Sequence, residues 1–212
     1  MPPLTNLENQ CFDALLAVDR IASSNLLIRE TAAWPPLKRI ELLISPVLRR
    51  IGEEWEQGRI SLAQVYMSGR ICEDLVETLL PPHEPRLRTH PKMAIATLVD
   101  HHALGKRIVY SVLRSAGFEL LDLGQGISVE ALVTSVRKEG IRILLISTLM
   151  LRSALMVRDL KERLGKEGLD VRIVVGGAPF LFDRELWKDV GADAMVRTAS
   201  DAIPVIEDLL KG

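Results

Sequence analysis

After residue 91, short apolar runs alternate with stretches of helical period, and this pattern constrains the fold more than any other feature of the chain. Residues 93–99 precede 104–116, 119–123 precede 129–138, and 141–148 precede 154–164. Two further rounds place strands at 171–175 and 194–196 and helices near 184–190 and 202–210. Five such units predict an α/β fold: an open, doubly wound parallel sheet of five strands, because each parallel crossover lays a helix on one face or the other. Gly117, Gly140 and Gly168 fall between a helix and the next strand, where a left-handed C-terminal cap is expected.

The first part of the chain reads differently, with a helical period throughout residues 5–80. Thr5-Asn6-Leu7-Glu8 has the form of a capping box and predicts a helix start. Leu37, Ile40, Leu43 and Ile44, then Val47, Leu48, Ile51 and Trp55, recur at the spacing of one buried helix face. Pro46 interrupts that run without an amide donor, so a break or kink is expected near Ser45, with the proline in the first turn of a new helix. Gly58 ends that helix, and Ser61 caps another that carries Leu62, Val65, Tyr66, Cys72, Leu75 and Leu79. About four helices result. Residues 81–91 hold four prolines and suit an extended connector, so the domains are drawn at 1–88 and 89–212. His83 and His90 lie in this connector and are expected to be solvated.

A net charge of -1 with 48% hydrophobic and 26% charged residues fits a folded globular protein and argues against a nucleic-acid partner. No apolar run approaches the roughly 20 residues that span a bilayer, and the N-terminus lacks a secretory pattern, so a cytoplasmic location away from membranes is expected. Cys11 and Cys72 have no metal-ligand spacing and fall in helix-like apolar patterns, as buried thiols do.

Ligands of doubly wound sheets bind beyond the carboxyl ends of the strands. Those ends read Asp100-His101-His102-Ala103-Leu104-Gly105 after the first strand, Ser147-Thr148-Leu149 after the third and Gly176-Gly177-Ala178-Pro179 after the fourth. The first turn offers only Gly105, too little for a dinucleotide fingerprint, and Gly105-Lys106-Arg107 lacks the spacing and hydroxyl of a P-loop. A phosphoryl-accepting receiver would want an aspartate where Ser147 stands. Gly124-Gln125-Gly126 reads as a tight turn into the helix at 129. An Asp and a His two apart at a strand tip can form a metal ligand whose second ring nitrogen donates to the carboxylate. Gly105, Ser147, Gly176 and Gly177 are small enough to leave a slot leading down into the sheet.

Taken together, Asp100-x-His102-x-x-Gly105, Ser147-x-Leu149 and Gly176-Gly177 resemble the cobalamin-binding proteins of the methionine synthase and corrinoid methyltransferase group. The resemblance covers essentially the whole chain, since Ile51-Gly52-Glu53-Glu54-Trp55-Glu56-Gln57-Gly58 looks like the helical cap that precedes the cobalamin domain. It implies a flavodoxin-like or Rossmann-like sheet behind an N-terminal helical bundle cap. It further implies cobalamin, as methylcobalamin, cob(I)alamin or a related corrinoid, bound without its own base. His102 would be the lower cobalt ligand and Asp100 its hydrogen-bond partner, the two carrying the reaction. His101, at the variable position, would contact the cofactor with Ala103, Leu104 and Gly105. Ser147, Leu149, Gly176, Gly177 and Ala178 would bound the slot for the nucleotide tail, with Thr198 and Ser200 beside it. Tyr66 and Met67 would lie over the upper face.

The resemblance implies a methyl carrier, not catalytic alone, whose cobalt alternates between Co(I) and methyl-Co(III). A substrate-specific methyltransferase would supply the methyl group from a methoxylated aromatic, methanol, a methylamine or a thioether. An acceptor methyltransferase would pass it to tetrahydrofolate or a thiol, and a corrinoid reductive activase is a further expected partner. The cap would move aside about the proline-rich connector. The alternative is a cobalamin-dependent sensor or regulator. Such proteins usually carry a DNA-binding domain upstream of the cap, where this chain begins, and the photoreceptors among them have a Glu-His pair where Val65-Tyr66 stands. A mutase subunit would lack the cap. Trp34 and Trp55 read as packing residues; Trp187, Arg152, Arg158, Lys161 and Arg163 read as helix-surface features.

Overall fold

The computed structural model describes residues 4–80 and 90–211, in two compact units, Met1–Pro81 and Pro82–Gly212. Most of the expected connector, His83 and the boundary drawn at 88/89 lie outside the described residues.

The first unit is helical. Helix α1 spans Leu4–Leu16, and α2, Arg20–Ser24, continues as a π turn over Asn25–Glu30. Helix α3, Pro36–Arg39, runs through a second π turn, Ile40–Ile44, into α4, Ser45–Glu56, and α5 spans Leu62–Leu79. These segments make four continuous rods, the number the periodicity predicts. Leu7, Leu15, Leu27, Leu43, Ile51 and Ile71 are buried among them. Two expectations need correction. Thr5 sits inside α1, which is already helical at Leu4, so Thr5 does not cap it. Pro46 does fall in the first turn of α4, as expected, but the chain does not break before it: Ser45 stays α-helical at φ -63° and ψ -44°, and its N–H reaches back five residues to the Ile40 carbonyl. This wide turn shifts the hydrogen-bond register just where the proline has no donor to offer. Ser61 and Gln64 form a reciprocal capping box on α5, and Gly58 takes φ +71° after α4. Cys11 and Cys72 are both buried, and burial pushes the Cys11 thiol up to about 12. Trp34 is half-buried, whereas Trp55 is exposed rather than packed away.

The second unit is the expected sheet. Strands β1 (Met93–Leu98), β2 (Leu120–Ile127), β3 (Ile143–Ser147), β4 (Arg172–Gly176) and β5 (Ala194–Val196) lie in the order β2-β1-β3-β4-β5, all parallel. Helices α6 (Leu104–Ser115), α7 (Val129–Glu139), α8 (Leu151–Lys166), α9 (Ala178–Phe182), α10 (Leu186–Asp189) and α11 (Ala202–Lys211) connect and follow them. Alternate strand residues feed two cores, as the pleat requires. Ala94, Ala96, Leu144, Ile146 and Val175 pack with Leu132 and Val136 of α7 and Val157 and Leu160 of α8. Met93, Ile95, Leu145 and Val174 pack with Leu113 of α6 and Ile206 of α11. Every residue of β1 is buried. From β1 the chain goes outward to β2 and then returns to β3 on the other side, which makes the β1/β3 carboxyl ends the switch point where such sheets bind ligands.

Several expectations are corrected here. Gly124-Gln125-Gly126 is not a turn after a strand but part of β2, at φ +99° and +67° for the two glycines, where the pairing with β1 shifts register. The glycines serve the bulge, and Ser128 caps the helix that follows. The helix expected near 184–190 is present as the short α10, and an unexpected helix, α9, precedes it, ending at the extended Asp183. Trp187 packs against the core rather than lying on the surface. His90 is half-buried, accepts the Glu119 N–H at 2.9 Å and stacks obliquely on Phe118. Gly117, Gly140 and Gly168 take the expected positive φ, at +90°, +68° and +66°.

Candidate functional site

The loop after β1 is shaped before any side chain in it acts. Val99 takes φ +55°, a conformation costly for a β-branched residue, and is held there from both sides. Its N–H donates to the Ile127 carbonyl at 3.0 Å, and the next carbonyl, of Asp100, accepts the Gly126 N–H at 2.7 Å. This bend precedes Asp100, whose side chain is only 1% exposed.

Asp100 is the centre of the site. Its Oδ1 accepts the His102 N–H at 3.0 Å and faces His102 Nδ1 at 2.5 Å. Its Oδ2 accepts the Leu149 and Met150 N–H groups at 2.9 and 3.0 Å. Burial alone would raise the carboxyl pKa; the His102 ring and the amides of His102, Leu149 and Met150 outweigh it and hold the group well below the usual carboxylate range. An ionised carboxylate can only accept, so Nδ1 of His102 carries a proton and donates it. The imidazole itself is 54% exposed. A half-exposed ring is thus gripped by a buried anion that also joins the ends of β1 and β3.

The small residues lie where the register puts them. Thr97 pairs with Ser147, Ser147 with Gly176, and Gly176 with Val196, so these four share the sheet face that packs on α6 and α11. A β-carbon on Gly105 would stand 3.1 Å from Ser147 Oγ, and one on Gly176 would stand 3.1 Å from Val196. A β-carbon on Gly177, at φ +119°, would collide with the Thr148 carbonyl, so this glycine permits a close backbone approach. The hydroxyls of Thr97 and Thr148 are buried without a hydrogen-bond partner. Such orphans are rare unless a ligand or water completes them.

The structure therefore brings together Asp100, His102, Leu149 and Met150, and separately Gly105, Ser147 and Gly176. His101 is exposed, its ring lying over Gly126. Ala103 is buried, Leu104 opens α6 and Ala178 opens α9. Thr198 lies past β5, where its N–H and hydroxyl bond Asp201. Tyr66 is 61% exposed and Met67 half-buried, both on α5 of the helical unit. Sequence reasoning missed Met150, whose contribution is a backbone amide and leaves no residue-type signal. It also missed Thr97, although a lone hydroxyl in the apolar run Met93–Leu98 was a visible one. Among the described residues no three His, Cys, Asp or Glu side chains cluster to hold a metal ion. A metal here would have to bring most of its ligands with it, as a macrocycle does.

These features define a doubly wound ligand-binding domain with one carboxylate-tethered imidazole at its switch point. The chain belongs to the B12-binding proteins: a B12 binding domain matches residues 92–207, and a second B12 binding domain model matches residues 7–80. It is 33% identical to monomethylamine corrinoid protein 2 of Methanosarcina mazei, over 98% of this chain and all of that one. It is 28% identical to dimethylamine corrinoid protein 3 of Methanosarcina acetivorans, over 99% of this chain and all of that one. The structure of the Methanosarcina barkeri monomethylamine corrinoid protein superposes with a TM-score of 0.83 at 28% identity, covering 98% of this chain and 100% of that one. The cofactor is thus a corrinoid. Among the described residues no helix is long and apolar enough to cross a membrane.

Proposed function

We propose that the chain is the methyl-carrying corrinoid protein of a multicomponent methyltransferase system and that His102 is the lower ligand of its cobalt. The observation that carries this is the 2.5 Å contact between His102 Nδ1 and the buried Asp100. With Nδ1 committed to the carboxylate, ligation falls to Nε2, and the hydrogen bond raises the donor strength of the ring. The corrinoid supplies a cobalt that accepts and gives up a methyl group. Asp100 does the rest of the local work: it fixes the tautomer, holds the proton on Nδ1 when the ring is bound and shares it when the ring is released. The nucleotide tail enters beside Ser147, Leu149, Gly176, Gly177 and Ala178, and the orphaned Thr97 and Thr148 hydroxyls are the polar groups it meets there. Gly105 and its neighbours His101, Ala103 and Leu104 form the rest of the lower contact, with Thr198 at the edge.

Residues 1–88 act as the helical cap and 89–212 as the cobalamin domain. Of the donor classes, a methylamine is favoured, because relatives matching the whole chain are methylamine corrinoid proteins. The partners are then an amine:corrinoid methyltransferase, an acceptor methyltransferase and a reductive activase, in the cytoplasm. The test is to load the full chain with hydroxocobalamin, reduce it to Co(I) and follow its absorbance with mono-, di- or trimethylamine and the matching methyltransferase. Amine-dependent methylation with one of the three is expected. Methylation only by a methanol or methoxyarene system would overturn the amine assignment, and none with any system would overturn the carrier.

A further inference from the structure

Lys106 is out of place by ordinary rules. It is the third residue of α6, where a positive charge opposes the helix dipole, and it is only 5% exposed. Its ammonium is paired with Asp122 Oδ1 on β2, across 16 residues of sequence. The same Oδ1 accepts the Gly124 N–H at 2.8 Å, and so pins the bulge that ends β2. That bulge delivers the Gly126 N–H to the Asp100 carbonyl at 2.7 Å. It also brings the Gly126 backbone under the His101 ring, so closely that a β-carbon would overlap it.

The contacts close a ring around the ligand loop. From His102 the chain enters α6 and reaches Lys106; Lys106 holds Asp122; Asp122 sets Gly124 and hence Gly126; Gly126 holds Asp100; and Asp100 holds His102. An ion pair that takes its ammonium out of water, with the carboxylate 38% exposed, is seldom more stabilising than apolar side chains of similar volume, so its presence is better explained by the geometry it specifies. We propose that Lys106 and Asp122 are a positioning pair for the cobalt ligand: by locking the first turn of α6 to the end of β2, they fix the height and tilt at which His102 is presented. This inference rests on the reading of His102 as the lower ligand.

The full chain is loaded with hydroxocobalamin, reduced to Co(II) and examined by electron paramagnetic resonance, in parallel with the melting temperature of the cofactor-free protein. In the wild type most of the cobalt carries hyperfine splitting from one protein imidazole nitrogen. Lys106→Met and Asp122→Asn are each expected to lower the ratio of imidazole-bound to imidazole-free cobalt at least about tenfold, the scale for losing a group that orients a metal ligand. The double variant is expected to fall no further than either single one, because the two side chains act as a unit. A purely structural pair would lower the melting temperature and leave the spectrum of the loaded protein unchanged. That result, or losses that multiply in the double variant, overturns the inference. Should Lys106→Met not fold, Asp122→Asn decides alone, since Asp122 is 38% exposed and tolerates the change. A wild type that takes up no hydroxocobalamin overturns the corrinoid reading, and this inference with it. A normal wild type with unaltered variants overturns the inference only.

Discussion

The two units treat their buried polar groups in opposite ways. In the helical unit these groups are mostly satisfied within one turn of their own helix. Ser23 Oγ donates to the Asp19 carbonyl at 2.7 Å and Thr31 Oγ1 to the Leu27 carbonyl at 2.6 Å, each four residues back. Ser68 is the exception, reaching the Leu15 carbonyl on α1 at 3.3 Å. In the α/β unit the polar groups at the strand ends reach far along the chain or are not satisfied at all. Asp100 accepts amides 49 and 50 residues away, and the Thr97 and Thr148 hydroxyls have no partner. Polar atoms of the first kind serve the fold alone. Those of the second are organised around something the polypeptide does not itself supply, which is where a functional site is to be sought.

The contrast can be broken most forcefully at Asp100. Asn in its place offers one acceptor where four donors converge and turns an amide towards them, so Asp100→Asn should cost the α/β unit about 3 kcal/mol. Chemical denaturation of the cofactor-free chain measures this, and a loss under about 1 kcal/mol would mean that the carboxylate does not organise the loop. The pH dependence has a definite sign. A carboxyl held below its unfolded value contributes stability that is fully present above the ordinary carboxylate range and is lost as the pH falls towards the lowered value. The wild type should therefore lose this increment in acid, and Asp100→Asn should have a shallower acid limb.

Thr31 gives the smaller effect. Its hydroxyl bonds within its own helix, so Thr31→Val should cost only about 1 kcal/mol and leave corrinoid uptake unchanged. A change in uptake would contradict the claim that polar groups of this kind in the helical unit serve the fold alone.

Much of the architecture was legible because it is written in period and punctuation. Apolar runs of strand length, helical faces and the glycines at 117, 140 and 168 each have a local physical cause, and the five strands and five of the six described helices of the α/β unit fall close to where those signals lie, α9 being the one without a signal. Asp100 and His102 were legible because two chemically distinctive residues stand at a strand tip. What the sequence hid was tertiary. Gly124 and Gly126 have turn chemistry, but a strand bulge uses the same positive φ, and only the pairing with β1 tells them apart. The amides of Leu149 and Met150 are backbone groups with no residue-type signal. Lys106 read as part of a failed phosphate motif, because its partner Asp122 is remote in sequence and its burial is decided by packing.

The central claim is that one imidazole of this chain, that of His102, ligates cobalt. The direct measurement is electron paramagnetic resonance of the Co(II) form, made with protein labelled with 15N on histidine and with unlabelled cobalamin. The account predicts a doublet splitting from a single labelled nitrogen, absent in His102→Ala and retained in His101→Ala. A triplet from the unlabelled benzimidazole, or a doublet that survives His102→Ala, would contradict it.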